Sequence, residues 1–135
     1  ITNFAFAKAS IDERDVIPEL TEGLTGLLIG DKGYIRPYLR AKLLKRHLAL
    51  QTPLRKNMKD ERCPKFVRRL MRIRRRIETV IGQLVERFHI EKVRARDWWH
   101  LNNRLGRKIL AHLVCTFINT LLYRPATQFD GLIQI

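Results

Sequence analysis

Apolar residues recur at alternating steps of four and three from Phe66 to Phe88, at Phe66, Leu70, Ile73, Ile77, Val80, Leu84 and Phe88. Ile81 and Val85 widen the stripe. This is the period of an amphipathic helix of about six turns that turns one face to a core. Arg69, Arg72 and Arg76 fall on the opposite side, with Arg68 and Arg75 beside them. Glu78 lies at the border of the apolar face, four residues after Arg74 and four before Gly82.

Elsewhere the patterns are shorter. Residues 1–8 are β-prone around Phe4 and Phe6 and predict a short strand. Ser10 and Glu13 have capping-box spacing, but Pro18 opposes a helix that starts so early. A turn over 10–14 and a helix from about Asp15 to Glu22, stopped at Gly23, reconcile the two. Leu27 to Ile29, between two glycines, predicts a buried strand. Pro37 fits the first turn of a basic helix reaching about His47. Leu48 to Thr52 predicts a strand that Pro53 ends. Residues 54–64 read as a basic loop before the long helix, and His89 to Asp97 as a connector with strand character at Ile90 and Val93. A last helix runs from about Trp98 to Tyr123, and residues 124–135 form a loosely ordered tail. Its apolar stretch from Ile109 to Leu122 is broken by His112, Thr116, Asn119 and Thr120, so it reads as a buried helix and not a membrane span. The order is an α/β alternation, with a small sheet of about three short strands and four helices. The length suits one domain.

Charge adds a partner. The chain carries 27 Lys and Arg against 13 Asp and Glu, a net charge of +14. A protein this basic calls for a polyanion, with nucleic acid as the default. Between Arg55 and Arg76 stand eleven Lys and Arg against Asp60 and Glu61, a local +9. Cys63 and Cys115 are the only cysteines, and no C-x-x-C occurs. Two thiols make no disulfide framework and suit a reducing cytoplasm.

Two carboxylates stand out. Asp31, in Asp31-Lys32-Gly33-Tyr34, follows the carboxyl end of a strand, where ligand sites of open α/β sheets gather. Glu78 comes 47 positions later. Two acids gathered on a basic surface repel unless a cation lies between them. Mg²⁺, held by one or two carboxylates and phosphate oxygens, is the natural choice. The bland readings stand beside this one. Glu78 can be a surface partner of Arg74, worth roughly 0.2–0.5 kcal/mol, and Asp31 a turn residue. His112 and Cys115, one turn apart, favour a buried structural pair over a metal site. Trp98-Trp99 can stack on bases, although an aromatic pair at a helix start is more often packing. Residues 52–56, Thr-Pro-Leu-Arg-Lys, can touch phosphates.

LIGDKGYI, TPLRKNM, RRRIETVIGQL, EKVRARD and KILAHLVCTFIN together resemble bacterial insertion-sequence transposases of the DDE type, in order from about Phe4 to Leu122. The resemblance implies a ribonuclease H-like fold with three metal-binding acids. It implies that Asp31 is the second acid, Glu78 the third, and Arg74 the arginine four before that glutamate. The family's tyrosine and lysine on this helix are here Met71 and Val85. The family's first aspartate lies on a strand before anything present here, and Asp12, Glu13 and Asp15 are poor substitutes for it. Residues 1–8 would be strand three, Leu27–Ile29 strand four and Leu48–Thr52 strand five, so strands one and two are missing.

The resulting expectation is an incomplete ribonuclease H-like domain. Residues 1–123 form the C-terminal part of a catalytic domain that performs metal-dependent phosphodiester hydrolysis and strand transfer. Asp31 and Glu78 are its catalytic and Mg²⁺ (or Mn²⁺) ligands. Arg55, Lys56, Arg69, Arg72, Arg74 and Arg76 hold double-stranded DNA, both element ends and target. No membrane is involved, the intact enzyme is a homo-oligomer, and its setting is the bacterial cytoplasm with the nucleoid. The rival is a non-enzymatic basic nucleic-acid-binding protein or a decayed remnant.

Overall fold

The computed structural model describes residues 1–132. The elements are helix α1 (Glu13–Leu20), strand β1 (Gly26–Ile29), a 3₁₀ turn (Lys32–Tyr34), helix α2 (Pro37–Leu44), strand β2 (Leu48–Gln51), helix α3 (Pro64–Glu86) and helix α4 (Trp98–Leu121). They form two compact units, Thr2–Arg75 and, together with Ile1, the chain from Arg76 onward.

The first unit is a β–α–β hairpin with α1 in front of it. β1 and β2 pair in parallel, with Gly26 opposite Leu48 and Ile29 opposite Gln51. Parallel strands need a crossover, and α2 supplies it, started by Pro37 in its first turn. Two more bonds extend the ladder, from Gly26 N to the His47 carbonyl (2.8 Å) and from Gly30 N to the Gln51 carbonyl (2.9 Å). His47, at φ 57°, turns the chain from α2 into β2 in the left-handed region that histidine tolerates better than most residues. Leu39 and Leu43 of α2 bury themselves against Leu48 and Leu50 of β2, with Ile17, Leu28 and Tyr34 packed around them.

Three details of this unit differ from the sequence pattern. Residues 1–8 form no strand. A strand needs a ladder partner, and β1 and β2 satisfy only each other. Phe4 and Phe6 meet edge to face instead (5.4 Å), and the Asn3 amide donates to the Leu20 carbonyl (2.9 Å). α1 starts two residues earlier than expected, with Pro18 inside it as expected, because Asp12 caps it: the Asp12 carboxylate accepts from Arg14 N (2.9 Å). Its other end is closed by Arg46, which donates to the Pro18 and Thr21 carbonyls (2.8 and 3.1 Å). Finally, β1 is not a buried strand. Leu27 is 50 % exposed, since a two-stranded sheet under one helix covers only part of its surface.

The second unit joins the end of α3 to α4 and the residues after it. The connector contains no strand; Ile90 N bonds back to the Leu84 carbonyl (2.9 Å), which closes α3 and uses the donor a ladder would need. Asp97 caps α4 by accepting from His100 N (2.9 Å). Ile109, His112 and Asn119 of α4 are buried, as is Phe129. Over 124–132 the expected loose tail folds back. Asn119 donates to the Gln128 carbonyl (2.7 Å), Arg87 pairs with Asp130 (2.5 Å), and Phe129 packs edge-on to His112 (5.0 Å) and Phe88 (6.1 Å). Residues 133–135 of that tail lie outside the described residues.

The apolar stripe of α3 does not face a core along its length. Leu70 is buried, but Phe66 and Ile73 are exposed, and so are Ile77 (57 %) and Ile81 (53 %). The periodicity shows a face built for burial, and among the described residues nothing covers these positions. We predict a sharp contrast between two truncations. Leu43→Ala removes a fully buried side chain and costs about 2–5 kcal/mol. Ile77→Ala stays within about 0.5 kcal/mol and lowers self-association, since exposed apolar patches drive it. Urea unfolding and light scattering of both variants check this; an Ile77→Ala loss as large as that of Leu43→Ala would reveal a cover over the helix.

Candidate functional site

Asp31 is held by its neighbours in sequence. Gly30 ends the sheet ladder beneath the Tyr34 ring; a Cβ at Gly30 would sit 3.3 Å from Tyr34 Cδ2 and 3.4 Å from Leu50 Cδ1. A side chain there would press on both neighbours, so the approach favours glycine, and the chain runs straight into the 3₁₀ turn. The turn closes through Tyr34 N donating to the Asp31 carbonyl (3.0 Å). The Asp31 side chain makes no cap hydrogen bond, so its carboxylate points outward and is 59 % exposed. Arg74, from the long helix, reaches it: Nη2 lies 3.2 Å from Asp31 Oδ1. This contact spans 43 positions, a pairing that helical spacing alone does not offer.

Glu78 lies on α3 one turn beyond Arg74, exposed, and belongs to the second unit. Arg69, Arg72 and Arg76 are exposed along α3, and Arg55 and Lys56 are exposed in the loop before it. Not every base of the 55–76 run is available. Arg62 turns inward and donates to Gln51 Oε1 (2.9 Å), the Thr52 carbonyl (3.1 Å) and Asp60 (2.8 Å), which pins the loop to the end of β2. Those bonds from Arg62 hold the Asp60 carboxyl down to about 2. The loop and α2 together bound an open cavity of about 610 Å³, with Arg36, Arg40 and Lys59 among its walls.

The three acids of the N-terminal region are occupied by other tasks. Asp12 accepts from Arg14 (2.6 Å) and Arg36 (3.0 Å), and Asp15 from Arg36 (3.0 Å). Glu13 accepts from the Tyr34 hydroxyl (3.2 Å). Burial, and then the Glu13 carboxylate, push the Tyr34 phenol upward. Among the described residues, no three His, Cys, Asp or Glu side chains gather as a metal cluster. His112 is a core residue: Nε2 meets Gln83 Oε1 (3.0 Å), and burial pushes its pKa down toward the neutral ring. Cys115 is half-buried on the same helix, with its thiol free.

One surface escaped the sequence reading. Arg94, Arg96, His100 and Arg104 bound a basic hollow in the second unit. The signal was present in the spacing, since Arg94, Arg96, Arg104 and Arg107 stand on both sides of the α4 start, but the denser run at 55–76 masked it.

A family model described as a transposase DDE domain matches residues 1–98. The match takes in Asp31, Arg74 and Glu78 and ends at the first residue of α4. Comparison with curated proteins and with solved structures gave no match. No helix among the described residues is long and apolar enough to cross a membrane.

Hydrogen bonds from the Arg14 side chain and backbone hold the Asp12 carboxyl well below the usual carboxylate range. A folded-state pKa below the unfolded one gives stability that is present above the unfolded value, about 3.9, and is lost as pH falls toward the folded value. We predict that Asp12→Asn, which keeps a capping side chain, flattens the acid side of the stability profile. Urea unfolding across pH 3–7 tests it, and profiles of equal steepness in both proteins would remove Asp12 from that role.

Proposed function

The chain belongs to the transposase DDE domain family, and from that premise we propose that it is the C-terminal part of a DNA transposase catalytic domain of ribonuclease H-like fold. In the intact enzyme it takes part in hydrolysing a phosphodiester at an element end and joining the freed 3′ hydroxyl to target DNA. The observation that carries this reading is the Arg74–Asp31 contact. It sets an exposed carboxylate at a strand end against an arginine from the helix that bears Glu78.

The donor chemistry of Asp31 suits a hard divalent cation. Its carboxylate makes no cap hydrogen bond to its own turn, and it stands in solvent beside Arg74. Oxygen ligands of this kind hold Mg²⁺ or Mn²⁺. We assign metal-holding roles to Asp31 and Glu78. When bound, the cation supplies Lewis-acid activation of the attacking and leaving oxygens. Arg74 orients the Asp31 carboxylate and adds positive charge where phosphate arrives. Arg55, Lys56, Arg69, Arg72 and Arg76 hold the DNA backbone, contacts that position a duplex without reading its sequence. The family's remaining acid falls to a segment upstream of Ile1. The uncovered β1 edge and the exposed apolar positions of α3 support such a segment, because it would add the neighbouring strands that both require.

A second reading is a basic nucleic-acid-binding protein without catalysis, which the net charge of +14 and the exposed arginines of α3 suit equally well. One measurement tests what the two readings share, and a second separates them. In the first, duplex binding weakens with salt by a slope of about −0.9 in log K per phosphate neutralised, and Arg69→Gln, Arg72→Gln and Arg76→Gln together flatten it. Binding without salt dependence would remove the electrostatic account common to both. The second compares this chain, the chain extended through its upstream segment, and the extended chain with Glu78→Gln. Each meets a duplex carrying the element ends, with Mg²⁺ or Mn²⁺. The transposase reading expects cleavage and joining only in the unaltered extended protein. Full activity after Glu78→Gln would return Glu78 to a surface role, and cleavage by the short chain would show that its own acids suffice.

A further inference from the structure

The second unit carries a basic groove of its own. One hollow, of about 480 Å³, is bounded by Arg94, Arg96, His100 and Arg104. Arg104 also walls a second hollow, of about 340 Å³, with Lys92, Arg107 and Lys108. Between positions 92 and 108 the chain has six Lys and Arg and a single acid, Asp97. That acid is engaged: it caps α4 and lies 2.8 Å from His100 Nδ1. Arg104 donates to the Arg94 carbonyl and Lys108 to the Phe88 carbonyl, so backbone bonds fix the walls. Arg94, Arg96 and Arg107 keep exposed side chains.

Aromatic surface stands beside this charge. Trp98 is 51 % exposed and Trp99 69 %. The Trp99 and His100 rings meet in a T-shape at 4.9 Å, which places a largely exposed indole next to a residue of the groove wall. Indoles are large apolar groups that folding normally hides. A line of guanidinium groups with an exposed aromatic platform is the composition that holds single strands: the cations take the backbone, and a base stacks on the ring. Duplex DNA keeps its base faces stacked inside and would use only the cations.

We propose that residues 92–108 form a binding surface for single-stranded DNA. Arg94, Arg96, Arg104 and Arg107 take backbone phosphates, and Trp99 stacks one unpaired base. Most of this surface lies past the end of the family match at residue 98. The proposal rests on the DNA-handling part of the function proposed above, and on neither Asp31, Glu78 nor a metal.

The test uses the full chain in EDTA, with fluorescence of its two tryptophans and anisotropy of labelled oligo-dT or blunt duplex as readouts. The single strand should quench the fluorescence. Trp99→Ala should weaken single-strand binding roughly tenfold and leave duplex binding unchanged, and Trp99→Phe should restore most of the loss. Arg96→Gln with Arg107→Gln should lower the single-strand salt slope by about 0.7 for each phosphate that is no longer neutralised. Trp99→Ala acting on neither ligand, or equally on both, would overturn the proposal, as would an unchanged salt slope or tighter binding of the same sequence as RNA. The Arg69, Arg72 and Arg76 variants read duplex binding by α3, so their failure and this one are told apart.

Discussion

The parallel pairing of β1 with β2 is the constraint on which the first unit depends. Four residues on each strand fix the crossover helix, and the crossover fixes which leucines are buried. The ladder ends at Gly30, where a Cβ would press against the Tyr34 ring at 3.3 Å, and the next residue is Asp31. Backbone bonds and sterics set where Asp31 stands in the chain, and its side chain makes no cap hydrogen bond to its own turn. It stays open to solvent, with Arg74 as its ion-pair partner within the unit.

Apolar surface is left uncovered in both units, at Leu27 and Ile73 in the first and at Ile77 and Ile81 in the second. Two strands bury one face of one helix. α3 carries a stripe long enough for a larger sheet, yet only Leu70 of that stripe is fully buried. Hydrophobic periodicity records what a face is built to meet, and burial records what it does meet. Where the two disagree, as at Ile77 and Ile81, the sequence carries a demand that the described residues leave unmet.

Positive charge in this chain divides into two jobs. Arg36, Arg46 and Arg62 turn inward and satisfy carboxylates and orphan carbonyls, with Arg46 closing α1 and Arg62 tying the basic loop to β2. Arginine suits this work because its planar fork makes several directed bonds at once. Arg55, Lys56, Arg69, Arg72 and Arg76 in one stretch, and Arg94, Arg96 and Arg107 in another, stay exposed. Arginines spent on such inward bonds are less open to a polyanion, so a residue count overstates the surface charge available for binding.

What the sequence determined by itself was local. Pro37 started α2, the apolar run at 48–51 made β2, the four-three period made α3, and the stretch from Trp98 made α4. Asp31 at a strand end and Arg74 four residues before Glu78 were legible in the same way, because turn chemistry and helical spacing act over a few residues. The tertiary structure decided everything that needed a distant partner. Residues 1–8 lost their strand for want of a ladder, and Leu27 its burial for want of a cover. α1 began at Glu13 and not near Asp15, capped by Asp12, whose carboxylate is gripped by both Arg14 and Arg36. Phe129 became core only through Phe88 and His112, and Arg74 found Asp31 across 43 positions. Helix and turn signals are carried by neighbours in the chain; ladders, burial and the direction of a guanidinium are set by whatever folding brings alongside.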